Sequence, residues 1–164
     1  MIKIVRGNLL SIERGIIGHQ VNCQGKMGSG VALQVKSRHP LAYEEYQELV
    51  QEYITVDENG RLIEDLRHNL LGYVNGVKIN DNLYVANMFG QNKYGYDGKI
   101  YTDTNALFKC FKTVRGVAEN LDLPVYLPYR IGSYRGGADW NLVEDHLLTA
   151  FDGYEVTLMK YHEG

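Results

Sequence analysis

Cysteine is scarce in this chain of 164 residues: there are two, Cys23 and Cys110, far apart and in no paired spacing. That excludes a disulfide framework and a paired-cysteine zinc site, and it fits a reducing compartment. Basic charge is also in short supply. The 17 Lys and Arg against 20 Asp and Glu leave a formal net charge of −3, with no basic stripe to hold nucleic acid through its backbone. No apolar run reaches the length of a signal core or a membrane span. Among the histidines, His39, His68, His146 and His162 show no metal-ligand spacing and read as surface or packing residues. The expectation is a soluble, cytoplasmic protein with no cofactor, no metal and no membrane or nucleic-acid partner.

What the chain does have is 45% hydrophobic residues, enough to build the core of one domain, expected over residues 1–164. Residues 2–5 and 15–22 read as strands. A helix follows over 29–38, and Pro40 opens another with Ala42, Tyr46, Leu49, Val50 and Tyr53 on one face. Asp57-Glu58-Asn59-Gly60 is a turn signal followed by a polar segment without clear structure. Residues 71–79 and 83–88 read as a hairpin around Asn80-Asp81-Asn82. The strongest helix runs over 104–121, with Leu107, Cys110, Phe111, Val114, Ala118 and Leu121 as its apolar face and Thr102 or Asp103 as its cap. A short strand pinned by Pro124 and Pro128, a helix carrying Trp140, Val143, Leu147 and Phe151, and a strand over 154–161 complete the chain. Strands alternating with helices indicate an α/β sandwich with a central mixed sheet.

The richest stretch is Gly18-His19-Gln20-Val21-Asn22-Cys23-Gln24-Gly25-Lys26-Met27-Gly28-Ser29-Gly30-Val31-Ala32. A strand feeds a glycine-rich turn that opens a helix. Glycines let the backbone come close to a ligand, and free N–H groups at the helix's positive end favour an anion. A ligand-free tight turn is the alternative. The spacing fits neither a P-loop nor a dinucleotide fingerprint. Ile131-Gly132-Ser133-Tyr134-Arg135-Gly136-Gly137-Ala138-Asp139-Trp140 forms a second such loop, again between a strand and a helix. Two anion cradles at the carboxyl ends of strands suit a pyrophosphate. Tyr94, Tyr96 and Tyr101 lie in a glycine-punctuated segment that reads as a ligand-covering loop or as mobile surface.

These residues resemble the macro domain family. Gly7-Asn8-Leu9-Leu10 is similar to its adenine-side motif, where Gly-Asp-Ile or Gly-Asp-Leu is common. The first loop is most similar to the branch of the yeast-type ADP-ribose-1″-phosphate phosphatase, and Val85-Ala86-Asn87-Met88-Phe89-Gly90-Gln91 and residues 131–140 fit later blocks of that branch. The resemblance implies a single three-layer α/β/α sandwich, a metal-independent monomer that binds ADP-ribose or ADP-ribose-1″-phosphate. It places adenine near Asn8 and the Leu9 backbone and the distal ribose at Asn22, beside Gln20 and Val21. Met27, Gly28, Ser29, Gly30, Val31 and Ala32 would then wrap the pyrophosphate with Ile131, Gly132, Ser133, Tyr134, Arg135, Gly136 and Gly137. The implied activity is hydrolysis of ADP-ribose-1″-phosphate to ADP-ribose and phosphate. The alternatives are a non-catalytic ADP-ribose binding module and an ADP-ribosyl hydrolase acting on modified macromolecules. A related branch uses a lysine after the middle strand and an Asp where this chain has Gly136, so its covalent lysine mechanism is not expected.

Two residues are candidates for the chemistry. His19 is either an acid near the distal ribose or a structural imidazole beneath the loop. Asp139 is either a carboxylate polarising the attacking water or the N-cap of the helix that opens at Trp140. Arg135 is either a fork for a terminal phosphate or an exposed loop arginine.

Overall fold

The computed structural model describes residues 1–161, so His162 lies outside the described residues. Among the described residues eight strands and four α-helices follow one another in the order β1 (Ile2–Arg6), β2 (Gly15–Asn22), α1 (Gly30–Arg38), α2 (Pro40–Gln51), β3 (Ile54–Val56), β4 (Leu62–Asp65), β5 (Val74–Asn80), β6 (Leu83–Gln91), α3 (Thr104–Leu121), β7 (Val125–Pro128), α4 (Trp140–Ala150) and β8 (Val156–Lys160). Six strands form one sheet in the order β1-β8-β7-β2-β6-β5. The first five are parallel, and β5 returns antiparallel to β6 at the edge. This is the expected three-layer α/β/α sandwich with a mixed central sheet.

Strand β2 shows why the layers close on both sides. Seven of its eight residues are buried, as expected for a parallel strand covered on both faces. Ile16 points into the cluster under α3 and α4, and Ile17 into the one under α1 and α2. On the Ile16 face, Gly18 leaves room for Leu127, whose Cδ2 would lie 2.5 Å from a Cβ placed there.

Helix α3 buries Leu107, Cys110, Phe111, Val114 and Ala118 of the predicted stripe, whereas Leu121, in its last turn, is exposed. Asp103 caps it by accepting from Ala106 N at 2.9 Å, a contact typically worth about 1 kcal/mol. Asp122 ends it with a φ of 52°, and Leu123 N donates to Ala118 O at 3.0 Å, a Schellman-type closure. Phe111 packs against Phe151 after α4 with ring centroids 6.5 Å apart. Truncating either ring would cost about 3–5 kcal/mol.

Two predicted stretches differ. The polar segment after Asp57 forms a small antiparallel hairpin, β3 with β4, whose β4 residues are all exposed. Solvent on both faces removes the alternation that marks a strand. The last strand starts at Val156 and not at residue 154, because the Tyr154 hydroxyl turns back to the α3 end, donating to Ala118 O at 3.2 Å and to Leu123 O.

The five parallel strands present their carboxyl ends along one edge. At about 4.8 Å per strand, β1 to β6 spans about 19 Å, and every loop described next leaves from that edge.

Candidate functional site

A cavity of about 1030 Å³ runs along this edge, at the upper limit for a small-molecule site. Its lining follows the strand order. Asn8, Leu9 and Leu10 come after β1, Lys160 and Tyr161 close β8, and Tyr129 to Gly132 with Tyr134 to Gly136 follow β7. Lys26 and Gly28 to Ala32 follow β2, Gln91 ends β6, and Tyr94 to Tyr96 follow it.

The first glycine loop is built by Asn22. Its Oδ1 accepts from Gln24 N at 3.0 Å and from Lys26 N at 3.3 Å, and its Nδ2 donates to Lys26 O at 2.9 Å. The Tyr46 hydroxyl donates to Asn22 O at 2.5 Å and to Oδ1 at 3.0 Å. Oδ1 and one Nδ2 hydrogen are therefore engaged inside the loop, so the side chain builds the turn, and the second Nδ2 hydrogen belongs to a residue that lines the cavity. Gly25, with a φ of 80°, makes the turn. Beyond it the loop is empty on one side: a Cβ at Gly28 would meet nothing within 4 Å. The N-terminus of α1 at Gly30 opens onto that space, and the Ser29 hydroxyl is not spent on capping the helix.

The second loop is held from below. Gln20 Nε2 donates to Gln91 Oε1 at 2.7 Å and to Thr102 Oγ1 at 2.9 Å, and Thr102 Oγ1 donates to Gly132 O at 2.8 Å. The main-chain N–H groups of Tyr101 and Thr102 both donate to Gly136 O, at 2.8 and 3.0 Å. Gly136 has no room for a side chain, since a Cβ would press on Thr102 Oγ1 and lie 2.6 Å from Gly132 O. The carboxylate that a related branch carries at this position does not fit here.

Most predicted ligand residues line the cavity: Asn8, Leu9, Gln20, Val21, Asn22, Gly28 to Ala32, Ile131, Gly132, Tyr134, Arg135 and Gly136. Met27, Ser133, Gly137 and Asp139 do not. Met27 is buried in the cluster beneath the first loop with Val21, Cys23, Tyr46 and Phe89, where its thioether fills the core. Asp139 is exposed and accepts from Asn141 N at 2.9 Å, which makes it the N-cap of α4. Sequence reasoning missed Lys26, Gln91, Tyr129, Arg130, Lys160 and Tyr161, all at or just past the carboxyl ends of parallel strands, and that position was the available signal.

His19 lines the cavity but is fully buried. The two Asn87 Nδ2 hydrogens go to Ala42 O and Asn75 Oδ1, each at 3.0 Å. Asn87 Oδ1 must therefore accept, and His19 Nε2, 2.6 Å away, carries the proton. Nδ1 is left as a buried acceptor with no partner among the described residues. Burial pushes the imidazole pKa down to about 4, against the smaller opposing effect of the Asn87 hydrogen bond. His19 is thus neutral near pH 7 and has no acidic proton to give. Cys23 is equally quiet, its thiol pushed up to about 12 by burial.

No protein-family model matches the chain. The DNA ADP-ribosyl glycohydrolase of Mycobacterium tuberculosis is 26% identical over 152 residues, covering 92% of this chain but 39% of that protein. The chain thus spans about two fifths of the length of the curated relatives it matches. A macrodomain protein from Streptomyces coelicolor superposes with a TM-score of 0.73 at 28% identity, covering 100% of both chains. This is the macrodomain fold. Thermosipho africanus DarTG, solved in complex with ADP-ribose, shares it with a TM-score of 0.71 at 14% identity, covering 98% of this chain and 41% of that one.

The charge of the cavity is one-sided. Among the described residues its lining includes Lys26, Arg130, Arg135 and Lys160 and no Asp or Glu. The Arg135 guanidinium lies 4.9 Å from the centre of the Tyr96 ring, joining the loops after β6 and β7 across the cavity mouth. No group of three or more His, Cys, Asp and Glu side chains gathers among the described residues. No helix among them is long and apolar enough to cross a membrane.

Proposed function

We propose that this macrodomain binds ADP-ribose-type ligands, a nucleoside diphosphate carrying a distal ribose, and removes a 1″-phosphate from them. The observation that carries the reading is the pairing of an empty glycine loop at the start of α1 with a second glycine loop facing it, in a cavity lined by four cations and no carboxylate. Diphosphate oxygens between the loops would accept from backbone N–H groups, with the positive end of α1 beside them. The names of the relatives, a DNA ADP-ribosyl glycohydrolase and an ADP-ribose complex, support the same ligand class.

The lining offers no carboxylate to serve as base, and burial, which lowers the His19 pKa to about 4, makes its unpartnered Nδ1 a weak one. A 1″-phosphate brings its own base. Water adds to phosphorus, its proton passes by way of a phosphate oxygen to O1″, and the bond from phosphorus to O1″ breaks, leaving the ribose hydroxyl and inorganic phosphate. The protein's share is positioning and charge, with Arg135 suited to the terminal phosphate. Removal of ADP-ribose from a macromolecule is the second reading, favoured by the relatives' name and by the exposure of Tyr94, Tyr96 and Tyr134 around the mouth.

Calorimetry with ADP-ribose, in the presence of a chelator, tests binding by a metal-free protein. Phosphate release from ADP-ribose-1″-phosphate and ADP-ribose release from modified DNA, run side by side, separate the two activities. Phosphate release alone supports the first reading and ADP-ribose release alone the second. Binding with neither leaves a binding module, and no heat at millimolar ligand overturns the ligand class.

A further inference from the structure

We infer that Arg130 and Lys160 form a second anion subsite in the cavity, one that takes a phosphomonoester on the ribose next to the base. The ligand class is then a nucleoside 5′-diphosphate phosphorylated at O2′ or O3′. This rests on the reading of a nucleoside diphosphate in the cavity. The two glycine-rich loops follow neighbouring strands, β2 and β7, so the diphosphate lies between them. Two of the four lining cations belong there. Lys26 sits in the first loop, and Arg135 Nε would be 3.8 Å from a Cβ at Gly30. The other two stand apart, Arg130 just past β7 and Lys160 at the end of β8. Leu9, Tyr129 and Tyr161 line the same end, apolar and aromatic surfaces suited to a flat base.

Tyr129 gathers this second pair. Its N–H donates to Met159 O at 3.0 Å, which sets it beside β8, and Trp140 meets its ring edge-on with centroids 5.6 Å apart. Lys160 Nζ lies 5.1 Å and Arg130 Cζ 5.9 Å from the centre of that ring. An aromatic ring attracts cations without neutralising them. Neither cation has a carboxylate partner among the described residues, and Arg6, the register partner of Lys160, adds a third positive charge beside them. Arg130 carries a further mark. Its φ of 58° is left-handed, a conformation that suits glycine or asparagine better than a long side chain. An arginine held there points to a use for its guanidinium.

Charge and reach both fit a phosphate on the adjoining sugar. Lys26, Arg135 and the N-terminus of α1 answer the diphosphate. A phosphomonoester adds about two negative charges near pH 7 and a set of acceptor oxygens, and Arg130 and Lys160 supply positive charge and donors only. Strand β8 lies two strands from β2 in the sheet, about 10 Å at about 4.8 Å per strand, a distance that one ribose bridges. In dinucleotide sites, too, an arginine near the ribose accommodates a 2′-phosphate.

Calorimetry at fixed salt compares ADP, its 2′-phosphate and its 3′-phosphate on the wild-type chain. One of the two phosphorylated nucleotides is expected to bind at least about tenfold more tightly than ADP, the change that a charge-assisted contact produces. In Arg130→Gln and in Lys160→Gln that preference should collapse, with the affinity for ADP changing less. Both residues are exposed, so the melting temperature should hold, and Gln keeps a side chain at the left-handed position. Arg135→Gln controls for diffuse charge: it should weaken all three nucleotides and keep the preference. Equal binding of the three, a preference that survives both variants, or one lost as fully in Arg135→Gln overturns the subsite and leaves the diphosphate reading standing. No binding of the three or of ADP-ribose overturns that reading and the subsite with it.

Discussion

In the loop after β2, a Cβ added at Gly28 would meet nothing within 4 Å, and one at Gly30 would find Arg135 Nε at 3.8 Å. In the loop after β7, a Cβ at Gly132 would lie 3.0 Å from Leu107 Cδ2, at Gly136 2.6 Å from Gly132 O, and at Gly137 2.9 Å from Lys99 O. Both loops run from a parallel strand into a helix, and both are rich in glycine. In the first, Gly25 and Gly30 answer to positive φ values of 80° and 60°, and Gly28 alone has neither a positive φ nor a neighbour, the place where a ligand could come close. The second keeps its glycines because the protein is already there. Glycine content alone therefore does not mark a ligand loop, and the space beside each Cα does.

The largest effect should come from filling the second loop. Gly136→Ala is expected to lower the unfolding free energy by about 3 kcal/mol, the upper range for overpacking against backbone. A urea midpoint within error of wild type would show that the loop is slack and would end the contrast. Acid acts on the strand beneath the first loop. His19 has its folded pKa lowered to about 4 from 6.5, so below pH 6.5 the unfolded chain binds more protons than the folded one. Stability held at pH 7 should fall by about 1.5 kcal/mol between pH 6.5 and pH 5 through this group. That slope should be absent in His19→Asn; the same slope in both proteins would move the titrating group elsewhere.

Gly28→Val should leave the melting temperature near that of wild type, since the site is open and the backbone there is not among the positive-φ glycines. It should still weaken ADP-ribose by at least about tenfold, because the branched side chain occupies the ligand's space. Unchanged affinity would place the diphosphate elsewhere. Asn22→Ala should cost a similar or smaller amount, about 1 kcal/mol, and equally for ADP and ADP-ribose, as its hydrogen bonds stay within the loop. A loss confined to ADP-ribose would restore Asn22 as a reader of the distal sugar. The smallest effect belongs to Asp139→Asn. Asn caps a helix as well as Asp does, so neither stability nor any turnover should change. A large loss of turnover would return the carboxylate to the chemistry.

The sequence made several local features legible. Strand β2 begins and ends at Gly15 and Asn22 as predicted, because Ile16, Ile17 and Val21 mark it as buried and the glycine-rich turn after it ends the run. Pro40 and Asp103 mark their helix starts through chain geometry and capping, which act within a few residues. The β3–β4 hairpin was not legible, since neither face meets a core. At the site, the loop glycines were visible but their reasons were not. That Gln20 holds Thr102 and Gln91 depends on partners 82 and 71 residues away, and only the sheet order brings them together. His19 and Asp139 illustrate the same limit. A histidine's usefulness as an acid depends on burial, and an aspartate's on which way its helix faces, and neither quantity is local.

The cavity's four cations sit in a chain whose formal net charge is −3. A doubly charged ligand is repelled weakly by the whole and drawn strongly by the cleft, so its encounter with the protein is steered over short range. Mobile ions cut that attraction off within about 8 Å at physiological ionic strength. The bimolecular capture rate should therefore fall as salt is raised, with escape from the closed-in site changing much less, so that the salt dependence of affinity is carried by arrival.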